Sequence, residues 1–143
     1  MQVKQISIFM ENRAGRLQEI TGVLANAGIN IRAISLADTS DFGILRLIVN
    51  KPENAVDILR NEGFIIRENS VIACVIDDKP GGLYQVVNVL GKADISIEYM
   101  YGFFERKTDK AVMIIRVEEP DKAITLLRQN YIPLLSGEEV YSI

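Results

Sequence analysis

The chain aligns with itself. Laid on itself at an offset of 66 residues, its first half meets its second at a regular series of identical apolar and glycine positions. These pairs are Ile6 and Ile72, Gly15 and Gly81, Leu17 and Leu83, Val23 and Val89, Leu24 and Leu90, Ala27 and Ala93, Ile29 and Ile95, and Ile31 and Ile97. Past residue 41 the offset becomes 68, which indicates a two-residue insertion near residues 103–110. A chain of 143 residues that repeats in this way is predicted to form two small domains of one fold, 1–69 and 70–143.

Each copy has the same order of hydrophobic patterns. The spacing of the apolar residues changes between a strand-like and a helix-like period at equivalent positions of the two copies. The first copy predicts a strand at 3–10, a helix at 17–27 stopped by Gly28, strands at 29–37 and 42–50 around a turn at 38–41, a helix opened by Pro52, and a strand begun at 64–67. Strand, helix, strand, strand, helix, strand is the order of a ferredoxin-like unit. The predicted fold class is therefore α+β, with two tandem βαββαβ domains whose antiparallel sheets carry both helices on one face.

The end of the chain does not fit this scheme simply. At the offset of 68, residues 139–142 align with residues 71–74, which already form the first strand of the second copy. One explanation is a long fourth strand at this end. The other is a strand exchanged between the two domains, which an unpaired sheet edge would permit.

Composition excludes several classes of function. The sequence has no histidine and one cysteine, Cys74, which removes Ser-His and Cys-His nucleophiles, zinc sets and disulfides within the chain. Its formal charge is -3 with scattered basic residues, so nucleic acid is not an expected partner. There is no basic, apolar leader and no apolar run near the roughly 20 residues of a membrane helix. We expect a cytoplasmic protein that is not an enzyme and needs no cofactor or metal.

The two turns that begin the helices carry a resemblance to a known family. The segments "ISIFMENRAGRLQEITGVLANAGINI" and "CVIDDKPGGLYQVVNVLGKADISI" resemble the opening of an ACT domain, the small ligand-sensing module of amino-acid metabolism. The resemblance covers essentially the whole chain as two tandem copies. It implies that units pair side by side through their sheet edges, as in a homodimer, and bind an amino acid between a first loop and a neighbour's second strand.

In the first copy, the resemblance implies a ligand site formed by the turn Asn12, Arg13, Ala14 and Gly15 with Asn30. The serine-sensing members of the family hold their ligand through two asparagines at the places of Asn12 and Asn30. The family's histidine and proline are replaced here by Met10 and Ala14, so the ligand need not be serine.

The second copy departs further from the family. Asp78 and Gly81 occupy the turn, and Ser96 stands at the place of Asn30. An Asp can attract an ammonium group, and a Ser can donate or accept one hydrogen bond. The two sites are therefore expected to differ in affinity.

The physics of these turns allows two interpretations. A helix N-terminus exposes N–H groups for a carboxylate, Asn12 or Asp78 offers an acceptor for an ammonium group, and a glycine lets backbone approach the ligand. In the alternative, Gly15 and Gly81 only relieve a strained turn, while Asn12 and Asp78 cap the helices.

Two functions remain open on this reasoning. The first is a stand-alone sensor that binds a small amino acid and modulates a partner enzyme of amino-acid metabolism. The second is an interaction subunit without a ligand, comparable to the small subunits of acetolactate synthase-type enzymes.

Overall fold

The two repeats form two units. The computed structural model describes residues 1–38, 41–104 and 107–143. The N-terminal unit consists of Lys4–Asn69 together with Val140–Ile143, and the C-terminal unit of Ser70–Glu139 together with Met1–Val3. The predicted turn at 38–41 and the predicted insertion near 103–110 include residues 39, 40, 105 and 106, which lie outside the described residues. In the described ranges, no helix is both long and apolar enough to cross a bilayer.

The first repeat follows the predicted order of elements. They are β1 (Val3–Glu11), α1 (Arg16–Asn26), β2 (Ile31–Asp38), β3 (Phe42–Val49), α2 (Pro52–Asn61) and the first part of β4 (Ile65–Asp77). The strand order is β2-β3-β1-β4. β1 and β3 are antiparallel, with Ile8 opposite Leu45. The left-handed Gly28, with φ of 71°, follows α1 as predicted.

The core of the N-terminal unit lies on one face of this sheet. Alternate residues of β1 and β3 point toward α1 and α2 because side chains alternate across a strand. The buried members are Ile6, Ile8, Met10, Leu45, Leu47 and Val49 from the strands and Ile20, Leu24, Ala55, Val56 and Leu59 from the helices. Full burial of each large aliphatic side chain contributes about 1.5–3 kcal/mol.

The second repeat has the same topology. Its elements are the second part of β4, α3 (Gly82–Lys92), β5 (Ile97–Phe104), β6 (Lys110–Val117), α4 (Pro120–Gln129) and the short β7 (Leu134–Leu135), followed by α5 (Gly137–Tyr141). Its strand order is β7-β4-β6-β5, which matches the first repeat strand for strand. The predicted class of two tandem ferredoxin-like units is confirmed.

The last strand of the first repeat and the first strand of the second are one element. β4 runs without interruption through 13 residues, whereas the sequence patterns predicted two separate strands. The residues between them contain no glycine or proline to break the pairing. Inside the N-terminal unit, Asn69 is held by a hydrogen bond of 2.7 Å that the Ser7 hydroxyl donates to its Oδ1 atom.

The prediction of a long fourth strand at residues 139–142 is wrong, because residues 139–141 lie within a helical turn, α5. Ser136 and Glu139 form a capping box. The Ser136 N–H donates to Glu139 Oε2 at 2.6 Å, and the Glu139 N–H donates to Ser136 Oγ at 3.2 Å. Residues 140–143 belong to the N-terminal unit, so the segment exchanged there is a helical turn and not a strand.

Candidate functional site

The first predicted ligand turn is a tight, hydrogen-bonded connection between β1 and α1. The Asn12 N–H donates to the Asp41 carbonyl at 3.0 Å, and the Arg13 N–H donates to the Glu11 carbonyl at 2.9 Å. Ala14 is exposed in the middle of the turn. These hydrogen bonds join the backbone of the turn to the end of β1 and to the residue that precedes β3.

Gly15 and Gly81 occupy the N-cap positions of α1 and α3 with φ values of 90° and 88°. These are left-handed conformations that residues with a Cβ adopt at a cost, so the conformational role of both glycines is direct. The N-cap residues of these helices are the glycines themselves, so the cap positions carry no side-chain hydrogen bond. Open space surrounds the position that a Cβ would take at Gly15.

The arginines of the first turn are paired with acidic neighbours. Arg13 Nε lies 3.0 Å from a carboxylate oxygen of Glu11, and Arg16 Nη1 lies 2.6 Å from one of Glu19. The Arg16 guanidinium also lies over the Phe64 ring, 4.9 Å from its centroid. A cleft of about 580 Å³ begins beside Gly15 along this face of α1. An anion that enters this cleft meets arginines whose positive charges are already partly neutralised by Glu11 and Glu19.

Asn30 lies far from this turn within the N-terminal unit. It precedes β2, and its N–H donates to the side-chain oxygen of Asn50 at 2.9 Å. The Asn12 N–H is bonded to the carbonyl of Asp41, which lies next to the first residue of β3, whereas Asn50 follows the last residue of that strand. At about 3.3 Å per residue, the two ends of this strand are roughly 25–30 Å apart. One unit therefore does not bring Asn12 and Asn30 together.

The second predicted turn has the same backbone but different chemistry. The Asp78 N–H donates to the Asp109 carbonyl at 2.8 Å, the counterpart of the Asn12 bond. Ser96 is exposed just before β5, at the opposite end of its strand from this turn. The structure therefore separates Asp78 and Ser96 as it separates Asn12 and Asn30.

The structure adds an ion pair that sequence reasoning missed. Asp77, the last residue of β4, lies directly opposite Lys110, the first residue of β6, and their side chains form a salt bridge. The Lys110 ammonium, through its hydrogen bond and its charge, lowers the pKa of the Asp77 carboxyl. The two residues are more than 30 positions apart in the sequence and meet only through the register of β4 and β6. No local sequence pattern therefore predicts the pair.

We expect the variant Lys110→Met to raise the pKa of Asp77 toward its usual value of 3.8. The sign follows from the loss of a cation and a donor that favour the ionised form. Carbon-13 NMR titration of the Asp77 carboxyl measures this change. Lys122→Met removes an exposed lysine on α4 and is expected to leave the Asp77 titration unchanged, and an unaltered pKa in Lys110→Met would contradict the pairing.

A cleft of about 260 Å³ opens beside this ion pair in the C-terminal unit. Its walls are the end of β4, the start of α3, the start of β6 and the connection from α4 to β7. The lining residues are Val75, Ile76, Asp77, Gly82, Gln85, Val86, Lys110, Asn130, Tyr131, Ile132 and Pro133. The cleft thus combines polar and apolar side chains with two opposite charges.

Comparisons with known proteins agree with this architecture. A family model described as an ACT domain pair matches residues 1–143. The chain is similar to the crystal structure of protein BT0572 from Bacteroides thetaiotaomicron, with 38% identity, a TM-score of 0.95, and coverage of 100% of this chain and 98% of that one. It shares its fold with the ligand-free regulatory subunit of aspartate kinase from Thermus thermophilus, at 15% identity, a TM-score of 0.65, and coverage of 90% and 92%. No curated protein matches it.

Proposed function

The chain belongs to the ACT domain pair family, and we propose that it is a non-catalytic cytoplasmic regulator that binds a small amino acid. In this proposal, occupancy of the site modulates an enzyme of amino-acid metabolism. A neighbour of the same fold is the regulatory subunit of aspartate kinase, which supports a partner enzyme of this class. The observation that carries the ligand proposal is the hydrogen-bonded turn at Asn12–Gly15, which has open space beside Gly15 at the start of α1.

The chemistry of this turn suits a zwitterion. The Asn12 side chain supplies an acceptor for an ammonium group, and the first N–H groups of α1 supply donors for a carboxylate. Gly15 keeps the approach to these N–H groups free of a Cβ. Arg13 and Ala14 frame the turn on its exposed side.

Assembly through β2 completes the proposal. Among the described strands β2 pairs only with β3, so its other edge has backbone groups available for a second copy of the chain. Two of its apolar side chains, Ile34 and Leu36, are 47% and 50% exposed. Pairing at this edge would cover them and bring the Asn30 segment of one copy toward another copy. Ligand binding there shifts the assembly only if one arrangement binds the ligand more tightly.

Asn12→Ala is expected to weaken binding of the preferred amino acid by about ten- to a hundredfold. The reason is the loss of one hydrogen bond to a charged group, which is worth roughly 1.5–3 kcal/mol. Isothermal titration calorimetry against the twenty amino acids, first with the unchanged protein, identifies the ligand and then measures the change.

The matched control is Asn54→Ala, which truncates an exposed asparagine on α2 and is expected to leave the affinity unchanged. No heat from any amino acid at millimolar concentration would exclude the sensor. A stoichiometric enzyme partner that copurifies with the protein regardless of ligand would then support the alternative of an interaction subunit without a ligand.

A further inference from the structure

The sheet of the N-terminal unit has a second face, which points away from α1 and α2. Side chains alternate across a strand, so the neighbours of the core residues along β1 and β3 point to this face. Ser7 and Ile48 are buried on it. Toward the end of β1 and the start of β3 the same face is open, and Phe9 and Phe42 are 37% and 58% exposed there. Ile65, at the start of β4, is 70% exposed.

These three apolar side chains form one patch. Phe9 lies opposite Ile44 in the β1–β3 register, and Phe42 is the next residue of β3 on that face, within reach of an aromatic neighbour. The Arg67 guanidinium lies 5.9 Å from the centroid of the Phe9 ring, so Arg67, and with it Ile65 two positions earlier, lies on this face. We call Phe9, Phe42, Ile44, Ile65 and Arg67 the outer patch.

The fold itself does not require the apolar side chains of the outer patch. In the second repeat, Lys110 takes the place of Phe42 and forms a salt bridge with Asp77, and Pro133 takes the place of Ile65. The two repeats have the same strand order all the same. A contiguous apolar patch that the fold does not need, on the surface of a soluble protein, marks a contact with another molecule.

The size of the outer patch selects the kind of partner. At about 200 Å² for a fully exposed large side chain, Phe9, Phe42 and Ile65 together expose roughly 300 Å². A stable dimer of two copies buries about 800 Å² on each copy, so this patch alone is too small for one. Its three strands, β4, β1 and β3, are about 4.8 Å apart and span about 10 Å, which matches the width of a single α-helix.

Arg67 determines the charge that such a helix must carry. The residue is exposed, and none of the salt bridges in the described part of the chain includes it. Lys4 of the same unit, by contrast, is paired with Glu53 and Glu68. A guanidinium that stacks on an aromatic ring keeps its N–H donors available for a carboxylate. The outer patch therefore complements an apolar helix face with an acidic residue at its edge.

The outer patch adjoins the turn of the proposed amino-acid site. The carbonyl of Asp41, directly before Phe42, accepts the hydrogen bond of the Asn12 N–H. Glu11, directly before Asn12, lies opposite Phe42 in the β1–β3 register. A change of this turn on ligand binding therefore acts directly on the backbone that carries Phe42.

We propose that the outer patch binds an amphipathic α-helix of a partner protein, with an apolar stripe over Phe9, Phe42 and Ile65 and an acidic residue at Arg67. This inference rests on the proposed function, in which the partner is the enzyme that the chain modulates. It adds the surface that meets the partner and the kind of segment that this surface recognises. Ligand and helix are coupled because their two sites share the start of β3.

The test uses a synthetic helical peptide of about 18 residues, with leucine at a spacing of three and four positions and glutamate along one side of this stripe. NMR titration of the nitrogen-15-labelled full chain is expected to show shifted amide signals at residues 9, 42, 44, 65 and 67. A control peptide has lysine in place of each glutamate. It is expected to bind at least fivefold more weakly, because it places a cation at Arg67.

Arg67→Glu is expected to reverse this preference, so that the lysine peptide binds more tightly than the glutamate peptide. Phe42→Ser, at an exposed ring, is expected to weaken the binding of both peptides at least fivefold. Arg60→Glu is the matched control, which makes the same charge change at an exposed residue of α2 and is expected to leave both affinities unchanged. General attraction between the chain and a charged peptide would not distinguish the two arginine variants, because their net charges are equal.

The outer patch is overturned if the glutamate peptide shifts none of these signals, or if Arg67→Glu leaves the preference between the peptides unchanged. A lower molecular mass of Phe42→Ser than of the unchanged chain in analytical ultracentrifugation would also overturn it, because the patch would then join two copies. Amino-acid heat without peptide shifts would remove only the patch and leave the sensor standing. Peptide shifts without amino-acid heat would support the patch as the surface of an interaction subunit.

Discussion

Gly82→Ala is expected to lower the free energy of unfolding by about 3 kcal/mol, because a Cβ at this position would collide with the backbone carbonyl oxygen of Asp77. Neither atom can move alone. The turn between them is tied by bonds from the Asp78 N–H to the Asp109 carbonyl at 2.8 Å and from the Gly82 N–H to the Lys79 carbonyl at 3.0 Å. Relief of the collision therefore requires the end of β4 to separate from α3.

Gly91→Ala, on the same helix, is the matched control with the opposite sign. Nothing lies within 4 Å of a Cβ built at Gly91, and the residue is helical. Alanine is expected to stabilise the protein there by about 0.5–1 kcal/mol through helix propensity. Urea denaturation of both variants measures the two changes, and equal effects of the two substitutions would contradict the close approach at Gly82.

The repeat explains why so much of the fold was predictable. Two copies had to satisfy one topology, so an ambiguous pattern in one copy was supported by a clear pattern in the other. Pro52 and Pro120, for example, open α2 and α4 at equivalent positions. Such signals are local, and local signals survive in the folded chain when tertiary contacts agree with them.

The two errors in the fold have local causes as well. Residues 139–142 align with strand residues 71–74 by type, but the capping box of Ser136 and Glu139 starts a helix that contains residues 139–141. A Ser followed by a Glu three positions later is a sequence signal for the start of a helix. The only sequence signal for the uninterrupted β4 is that no glycine or proline lies between residues 65 and 77.

The candidate site was less predictable than the fold because it depends on pairing across strands. The turn glycines were found through their repetition, and both adopt the left-handed conformation. The salt bridge of Asp77 with Lys110 depends on the β4–β6 register. The strain at Tyr131 becomes visible only when the offset of 68 places it opposite Gly63 and the backbone angle is known. The salt bridge and Tyr131 both lie in the second repeat, whose sequence departs further from the family.

Residues 140–143 are expected to stabilise the N-terminal unit strongly, although they lie some 70 positions beyond its other residues. Val140 is fully buried. The Tyr141 hydroxyl accepts a hydrogen bond of 2.8 Å from the Lys4 N–H, and the Tyr141 carbonyl accepts one of 2.9 Å from Arg32 Nε. These contacts hold the helical turn to the starts of β1 and β2.

The double variant Val140→Ala and Tyr141→Phe is expected to lower the free energy of unfolding by about 3–4 kcal/mol. The cavity left by two methyl groups accounts for about 2 kcal/mol, and the unpaired Lys4 N–H for about 1–2 kcal/mol. Hydrogen exchange at β1 and β2 amides should accelerate, because the loss falls on that unit. Ile143→Ala, at a side chain that is 45% exposed, should change stability by less than about 1 kcal/mol. If exchange accelerates only within residues 134–141, the tail is an accessory of the C-terminal unit, and the N-terminal unit is complete without it.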